Sequence, residues 1–128
     1  MIALAKLCQK RESFSAARSS TWNLHHRAIP MKIIRYTTRP EHGEENERLI
    51  RAVFSELTRD DPIDVRYAVL RSGLDFVHIV DAAPRATPLR RFASFKSFQT
   101  DAATRVVAPP ESVEALLLGN HRMFDMVR

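Results

Sequence analysis

The chain predicts an α+β fold: a four-stranded antiparallel sheet with two helices on one face, paired with a second copy through the other. Three observations predict it. Extended and helical segments alternate as strand, helix, strand, strand, helix, strand between Lys32 and Phe124. Several of these strands are apolar at both odd and even positions, so neither sheet face reads as a solvent face. Two helices cover only one face, and the other needs a partner.

The elements follow in order. Lys32 to Thr38 is rich in β-branched and aromatic residues and reads as the first strand. Pro40 suits the first turn of a helix, and Glu41, Glu44, Glu45 and Glu47 crowd a start where the helix dipole favours negative charge. Leu49, Ile50, Val53, Phe54 and Leu57 lie on one helical face. Glu44 with Arg48, and Glu47 with Arg51, have the spacing of solvated i,i+4 pairs. Asp60, Asp61 and Pro62 end the helix. Val65–Arg71 and Phe76–Asp81 read as a hairpin joined by Ser72, Gly73 and Leu74, with Gly73 available for a positive φ.

A loop containing Pro84 then reaches Thr87, an N-cap before the first-turn Pro88. The second helix runs to about Arg105 with a break near Arg91, and carries Leu89, Phe92, Phe95, Phe98 and Ala102 on one side. After Pro109 and Pro110, the last strand spans Val113 to about Met123, with Gly119 marking a bulge or close approach. Right-handed crossovers put both helices on the same side. The uncovered side measures roughly 400 Å² from strand spacing and rise, an area at which an apolar patch marks an interface. A two-fold homodimer through the sheet is the expected cover.

Composition bounds the function. A length of 128 residues suits one domain, and no apolar run is long enough for a membrane span. The lone Cys8 forms no internal disulfide and no zinc pattern, which fits a reducing, cytoplasmic setting. Residues 1–30 hold five basic residues and one acid, whereas residues 31–128 hold fifteen and fourteen. The domain at 31–124 is therefore close to neutral, which does not support a nucleic-acid footprint. Residues 125–128 form a short tail. The basic, Ser-rich leader at 1–30 has three readings: an extension before a natural start at Met31 or a disordered tail, an organellar transit peptide, or a basic arm with its own partner. His25 and His26 have no nearby ligand residues and read as solvated.

The run Met31, Lys32, Ile33, Ile34, Arg35, Tyr36, Thr37, Thr38, Arg39, Pro40, Glu41, the element order and the domain length resemble the antibiotic-biosynthesis-monooxygenase-like domains. The resemblance implies the dimeric α+β barrel, a variant of the ferredoxin-like fold. It covers Met31 to about Phe124. Ser94–Phe98 sits where many members carry a Thr-Pro-His-Phe-like segment. The family includes cofactor-free oxygenases of phenols, anthrones or quinols, haem-degrading members and proteins of unknown activity. This chain lacks the tryptophan that often follows strand three, near Ile79–Ala82, since its only tryptophan is Trp22. It also lacks a histidine in helix two, and the Asn, Trp and His set of the haem-degrading members has no place here. Haem binding is not expected.

Among residues able to carry chemistry, His78 stands mid-strand, where an ionisable ring acts as acid or base near neutral pH; the plainer reading is a buried histidine with satisfied hydrogen bonds. Arg35 and Tyr36 alternate on the first strand, Arg66 and Tyr67 on the second. One of each pair faces inward, where Arg35 or Arg66 would hold an enolate or phenolate, unless it is an edge charge or part of a sheet–sheet ion pair. Phe92, Phe95 and Phe98 read as a core stripe that can also wall an aromatic pocket with Tyr36, Phe54 and Tyr67. His121, late in the last strand, reads as a surface residue and a lesser pocket candidate. No phosphate-binding glycine loop, metal-ligand spacing or nucleophile–base pair is legible. The expected function is a cofactor-independent monooxygenase of a small phenol or quinol, with no cofactor and no metal. The alternative is a non-catalytic dimer that binds a small aromatic or acidic metabolite or serves as an interaction protein.

Overall fold

The computed structural model describes residues 29–83 and 88–124. The leader through Ala28, including Cys8, Trp22, His25 and His26, lies outside the described residues, as do the expected Thr87 cap and residues 125–128. Strand β1 (Ile29–Thr37) leads through a 3₁₀ turn (Pro40–His42) into α1 (Gly43–Asp60). The hairpin β2 (Tyr67–Ser72) and β3 (Asp75–Asp81) follows, then a second 3₁₀ turn (Leu89–Arg91), α2 (Ala93–Gln99), α3 (Ala102–Arg105) and β4 (Glu111–Leu117). All neighbouring strands are antiparallel, in the order β2-β3-β1-β4. The helices cover one face, as the sequence predicts.

Several boundaries differ from expectation. β1 starts at Ile29, because Ile29 and Pro30 pair with Leu117 and Leu116. Pro30 has no N–H to give, but its carbonyl accepts from the Ala82 N–H at 3.0 Å. β2 begins two residues late, at Tyr67. β4 stops at Leu117, opposite Ile29, the first described residue of β1. Gly119, His121 and Arg122 therefore lie beyond the strand, and a Cβ on Gly119 would meet nothing. Gly119 marks neither bulge nor close approach.

The helices end for local reasons. Asp61 takes a left-handed conformation (φ 49°) and its N–H donates to the Leu57 carbonyl at 2.7 Å. The second helical segment breaks at Phe92, as expected near Arg91, and again at Asp101 (φ 60°). Glu56 of α1 caps α2 from across the helix pair, accepting from the Ser94 N–H at 2.9 Å and its hydroxyl at 2.5 Å. Those bonds hold the Glu56 carboxyl below its usual range. Gly73, at φ 62°, supplies the left-handed residue of the hairpin turn. Arg71 ties that turn to α1, donating to the Gly73 carbonyl and Glu47 and pairing with Glu44 at 3.4 Å. Glu44 thus reaches Arg71 rather than the expected Arg48, while Glu47 does pair with Arg51 at 2.8 Å.

The core lies between sheet and helices. Ile34, Tyr36 and Phe76 pack against Ile50, Val53, Phe95 and Phe98. On the opposite face, register aligns Ala68, Ile79, Ile33 and Val113 as one row across all four strands. The next row is Leu70, Val77, Arg35 and Glu111. Leu70 and Val113 are more than half exposed. Charge enters these two rows at one end only, where Arg35 pairs with Glu111 at 3.1 Å.

Candidate functional site

Alternation along β3 puts His78 on the helix-covered face with Phe76 and Val80. Its ring is 1% exposed and lies among Tyr36, Tyr67 and Phe98, with centroids 5.2 to 5.8 Å away. Tyr36 Oη lies 2.7 Å from His78 Nε2, and Tyr67 Oη lies 2.6 Å from Nδ1. Asn46 of α1 donates from Nδ2 to Tyr36 Oη at 2.9 Å. Arg105 of α3 donates from Nε to Asn46 Oδ1 at 3.0 Å and from its other nitrogens to the Thr100 and Phe98 carbonyls at 3.1 and 2.5 Å.

The guanidinium sets the direction of this chain. Arginine only donates, so Asn46 presents its oxygen to Arg105 and its amide nitrogen to Tyr36. Tyr36 therefore accepts from Asn46, and its own O–H points at His78 Nε2. His78 is then the Nδ1–H tautomer and donates to Tyr67. The line Arg105, Asn46, Tyr36, His78, Tyr67 runs one way through the core.

Burial makes each member neutral where it can be. Desolvation pushes His78 down to about 3, far from the range of a free imidazole. Burial pushes the Tyr36 phenol well above its ordinary value, against the opposing effect of its bond from Asn46. Desolvation also lowers Arg105.

Two clefts meet the ends of the chain. A cavity of about 340 Å³ has Tyr36, Asn46 and Phe98 among its walls and is closed by Ala102 and the Val106–Pro110 segment, with Arg39 at its edge. Its size and mainly apolar lining suit a small ligand. At the other end, Tyr67 borders a shallower cleft of about 410 Å³ with Phe54, Leu57 and Val65. A larger open groove of about 790 Å³ runs along α1 and β2, but of its charged residues Glu47 already binds Arg51 and Arg71, and Arg59 pairs with Glu56 and Asp60.

The structure thus brings together His78, Tyr36, Tyr67, Phe54, Phe95 and Phe98. Phe54 stacks on Tyr67 at 5.0 Å, and Phe95 meets Tyr67 edge-on at 6.4 Å. Phe92 packs at the margin of the core. Three expected residues stand elsewhere. Arg35 is exposed on the opposite sheet face, because its neighbour Tyr36 points inward. Arg66 is exposed just before β2, out of phase with Tyr67. His121 is exposed beyond β4. Sequence reasoning missed Asn46 and Arg105, both buried polar residues on apolar helical stripes. Among the described residues, no group of three or more His, Cys, Asp or Glu side chains is arranged to hold a metal, and no helix is long and apolar enough to cross a membrane.

No family model and no curated protein matches the chain. Solved structures do. One, a Nitrosomonas europaea protein provisionally assigned as an antibiotic biosynthesis monooxygenase, is 14% identical over 68% of this chain and 96% of its own, with a TM-score of 0.55. The Mycobacterium tuberculosis protein Rv0793 is 18% identical over 71% and 97%, with a TM-score of 0.56. A Caulobacter crescentus CB15 protein with the same provisional assignment is 14% identical over 80% and 99%, with a TM-score of 0.53. At these identities the likeness defines the fold. The protein is a ferredoxin-like α+β domain. Its fold is that of the antibiotic-biosynthesis-monooxygenase-like domains, the group its sequence resembles.

Proposed function

We propose that the protein is a homodimeric, cofactor-independent monooxygenase of a small phenol or quinol, bound in the cavity beside Tyr36 and Asn46. One observation carries this reading. Tyr36 and Asn46 both line the cavity, and with Asn46 donating to Tyr36 and Tyr36 donating to His78, the capacity left to them is one acceptor, the remaining lone pair of Tyr36 Oη, and one donor, the second N–H of Asn46. A phenolic hydroxyl needs one of each.

The same chain gives the departing proton a route. The substrate hydroxyl passes its proton to Tyr36 Oη as Tyr36 passes its own to His78 Nε2, His78 releases its Nδ1 proton to Tyr67, and Tyr67 gives its own O–H proton to water in the cleft it borders. Concerted transfer leaves no imidazolium in a site that penalises one. The electron-rich phenolate carbon then reduces O₂ and forms a C–O bond to it. Loss of the proton on that carbon breaks the O–O bond, leaving a quinone carbonyl and water. The substrate supplies all four electrons, so no external reductant is required. The oxyanion role expected of Arg35 or Arg66 falls to the Asn46 N–H.

Oxygen uptake by the purified protein with a panel of phenols and quinols tests the activity. Tyr36→Phe keeps the ring but removes both the acceptor and the proton route. Its rate should fall about 100-fold or more, and an unchanged rate removes Tyr36 from the mechanism. The low proton affinity of His78 favours a second reading, a binding protein without turnover. That reading expects ligand-induced thermal stabilisation with no oxygen consumption.

The dimer belongs to the same proposal. The apolar row Ala68, Ile79, Ile33, Val113 with Leu70 and Val77 supports sheet-to-sheet pairing, since apolar faces of this extent seldom stay open to water. Light scattering at micromolar concentration should give twice the mass of the chain. Leu70→Glu places a charge on the apolar part of that contact and should shift the mass to the monomer. A wild-type monomer mass ends the dimer proposal.

A further inference from the structure

Resting on the phenol-binding reading above, we propose that the ligand is an anionic phenol: a small hydroxyaryl compound whose hydroxyl meets Tyr36 and Asn46 and whose carboxylate meets Arg39. Two independent observations support the anion. The first is Arg105. Its side chain is 2% exposed, yet it donates only to neutral acceptors, the Asn46 amide oxygen and the Phe98 and Thr100 carbonyls. Among the described residues no carboxylate comes within ion-pair distance of it. Glu45 and Asp101 act on it from farther away, and Glu45 is engaged with His42 at 3.1 Å. A buried guanidinium without a counterion makes the space beside it electropositive.

The second is the cavity lining itself. Among the described residues it contains no acidic residue, and its single charged member is Arg39. Arg39 is exposed and, among the described residues, its guanidinium has no ion pair or hydrogen bond, whereas Arg35, Arg51, Arg59 and Arg71 all have carboxylate partners. Backbone bonds hold its position: the Arg39 N–H donates to the Arg105 carbonyl at 2.8 Å, and the His42 N–H donates to the Arg39 carbonyl at 2.9 Å. The two guanidiniums therefore flank one apolar cavity, one behind its polar wall and one at its edge. A neutral phenol uses only the wall; a phenol bearing a carboxylate uses both, and a fork of N–H donors suits a carboxylate.

Calorimetry and thermal shifts on the full chain, with 4-hydroxyphenylacetate, 4-methylphenol and phenylacetate as probes, test this. The hydroxy acid should bind about tenfold tighter than either single-function analogue. Arg39→Ala should remove most of that advantage while leaving 4-methylphenol binding unchanged, and Arg39→Lys should restore part of it. Arg39 is exposed and, among the described residues, its side chain makes no hydrogen bond or ion pair, so the ligand-free melting temperature of the variant should stay close to wild type. Equal binding of the hydroxy acid and 4-methylphenol overturns the anion and leaves the phenol reading standing. Binding of phenylacetate as tight as the hydroxy acid, or an Arg39→Ala variant that keeps the full advantage, overturns the proposal as well. Failure of all three probes to bind overturns both readings.

Discussion

Arg105→Ala should destabilise the domain by about 3–5 kcal/mol, the order expected when three buried acceptors lose a charged donor at about 1–3 kcal/mol each. The side chain is almost fully buried and serves three acceptors at once. Two of them, the Phe98 and Thr100 carbonyls, lie at the end of α2, where carbonyls lack partners within the helix. The third, Asn46 Oδ1, fixes the amide orientation. Alanine leaves all three unpaired and removes the stem that packs beneath the Phe98 ring, whose centroid lies 5.3 Å from the guanidinium carbon. Such a loss is a large share of the 5–15 kcal/mol typical of a whole domain.

Lysine at this position supplies a charge but no planar fork, so Arg105→Lys should fall between wild type and alanine. Urea denaturation at neutral pH measures all three proteins. If Arg105→Ala does not fold, the lysine variant carries the test alone with an expected loss of about 1–3 kcal/mol. A loss below about 1 kcal/mol for alanine would mean that water replaces the guanidinium without cost. The directional chain would then lose its anchor.

How much of this was legible in the sequence depends on which regularity carried the information. Strand alternation and helical spacing are local, and they identified every strand and the principal helices. Alternation put His78 on the same side of its strand as Phe76 and Val80 without saying which side faces the helices, and the same parity governs the arginines. Once Tyr36 and Tyr67 point inward to His78, Arg35 and Arg66 must point away. Either inward choice looked equally apolar beside it, so the sequence left the decision open. What decided it is a cross-strand fact: Ile34 pairs with His78, and Val69 with His78, which brings both tyrosines to the ring from neighbouring strands.

Asn46 and Arg105 were missed for a different reason. Asn46, Ile50, Val53 and Leu57 share one side of α1, and Phe95, Phe98, Ala102 and Arg105 continue one stripe through α2 and α3. Each stripe holds one polar residue where helical spacing calls for an apolar one. Taken alone, each reads as a frayed end of the stripe. Only packing shows that the two exceptions meet, 59 residues apart in the chain, at 3.0 Å. The end of β4 was also misplaced: Leu116 to Leu118 look strand-like, but the described pairing ends at Leu117, opposite Ile29.

His78 should make the domain acid-sensitive in a window where carboxylates contribute little. Its ring is held at about 3 in the folded protein, against an ordinary value of 6.5. The unfolded chain therefore binds a proton between these values that the folded chain refuses, and stability is lost as the pH falls through this range. The contribution is complete above pH 6.5 and disappears progressively below it. Between pH 7 and pH 5 the loss should be about 2 kcal/mol, from about 1.4 kcal/mol per unit. The carboxyls of Glu47 and Glu56 are held below their usual range by hydrogen bonds from Arg71 and Ser94, so their own contributions fade at lower pH. Comparison with His78→Gln cancels the remaining histidines: the variant should be less stable at pH 7, where it leaves a tyrosine less well paired, yet lose about 2 kcal/mol less on going to pH 5. Nitrogen NMR of the wild-type ring gives an answer even if the variant does not fold. The ring should remain the neutral Nδ1–H tautomer, with constant shifts, from pH 8 to pH 5. Titration near pH 6.5 would place His78 in contact with water, and an Nε2–H tautomer would reverse the chain at Tyr36. In either case the proposed proton route from the cavity to Tyr67 would have no physical basis, because it requires an Nε2 that is both unprotonated and shielded from solvent.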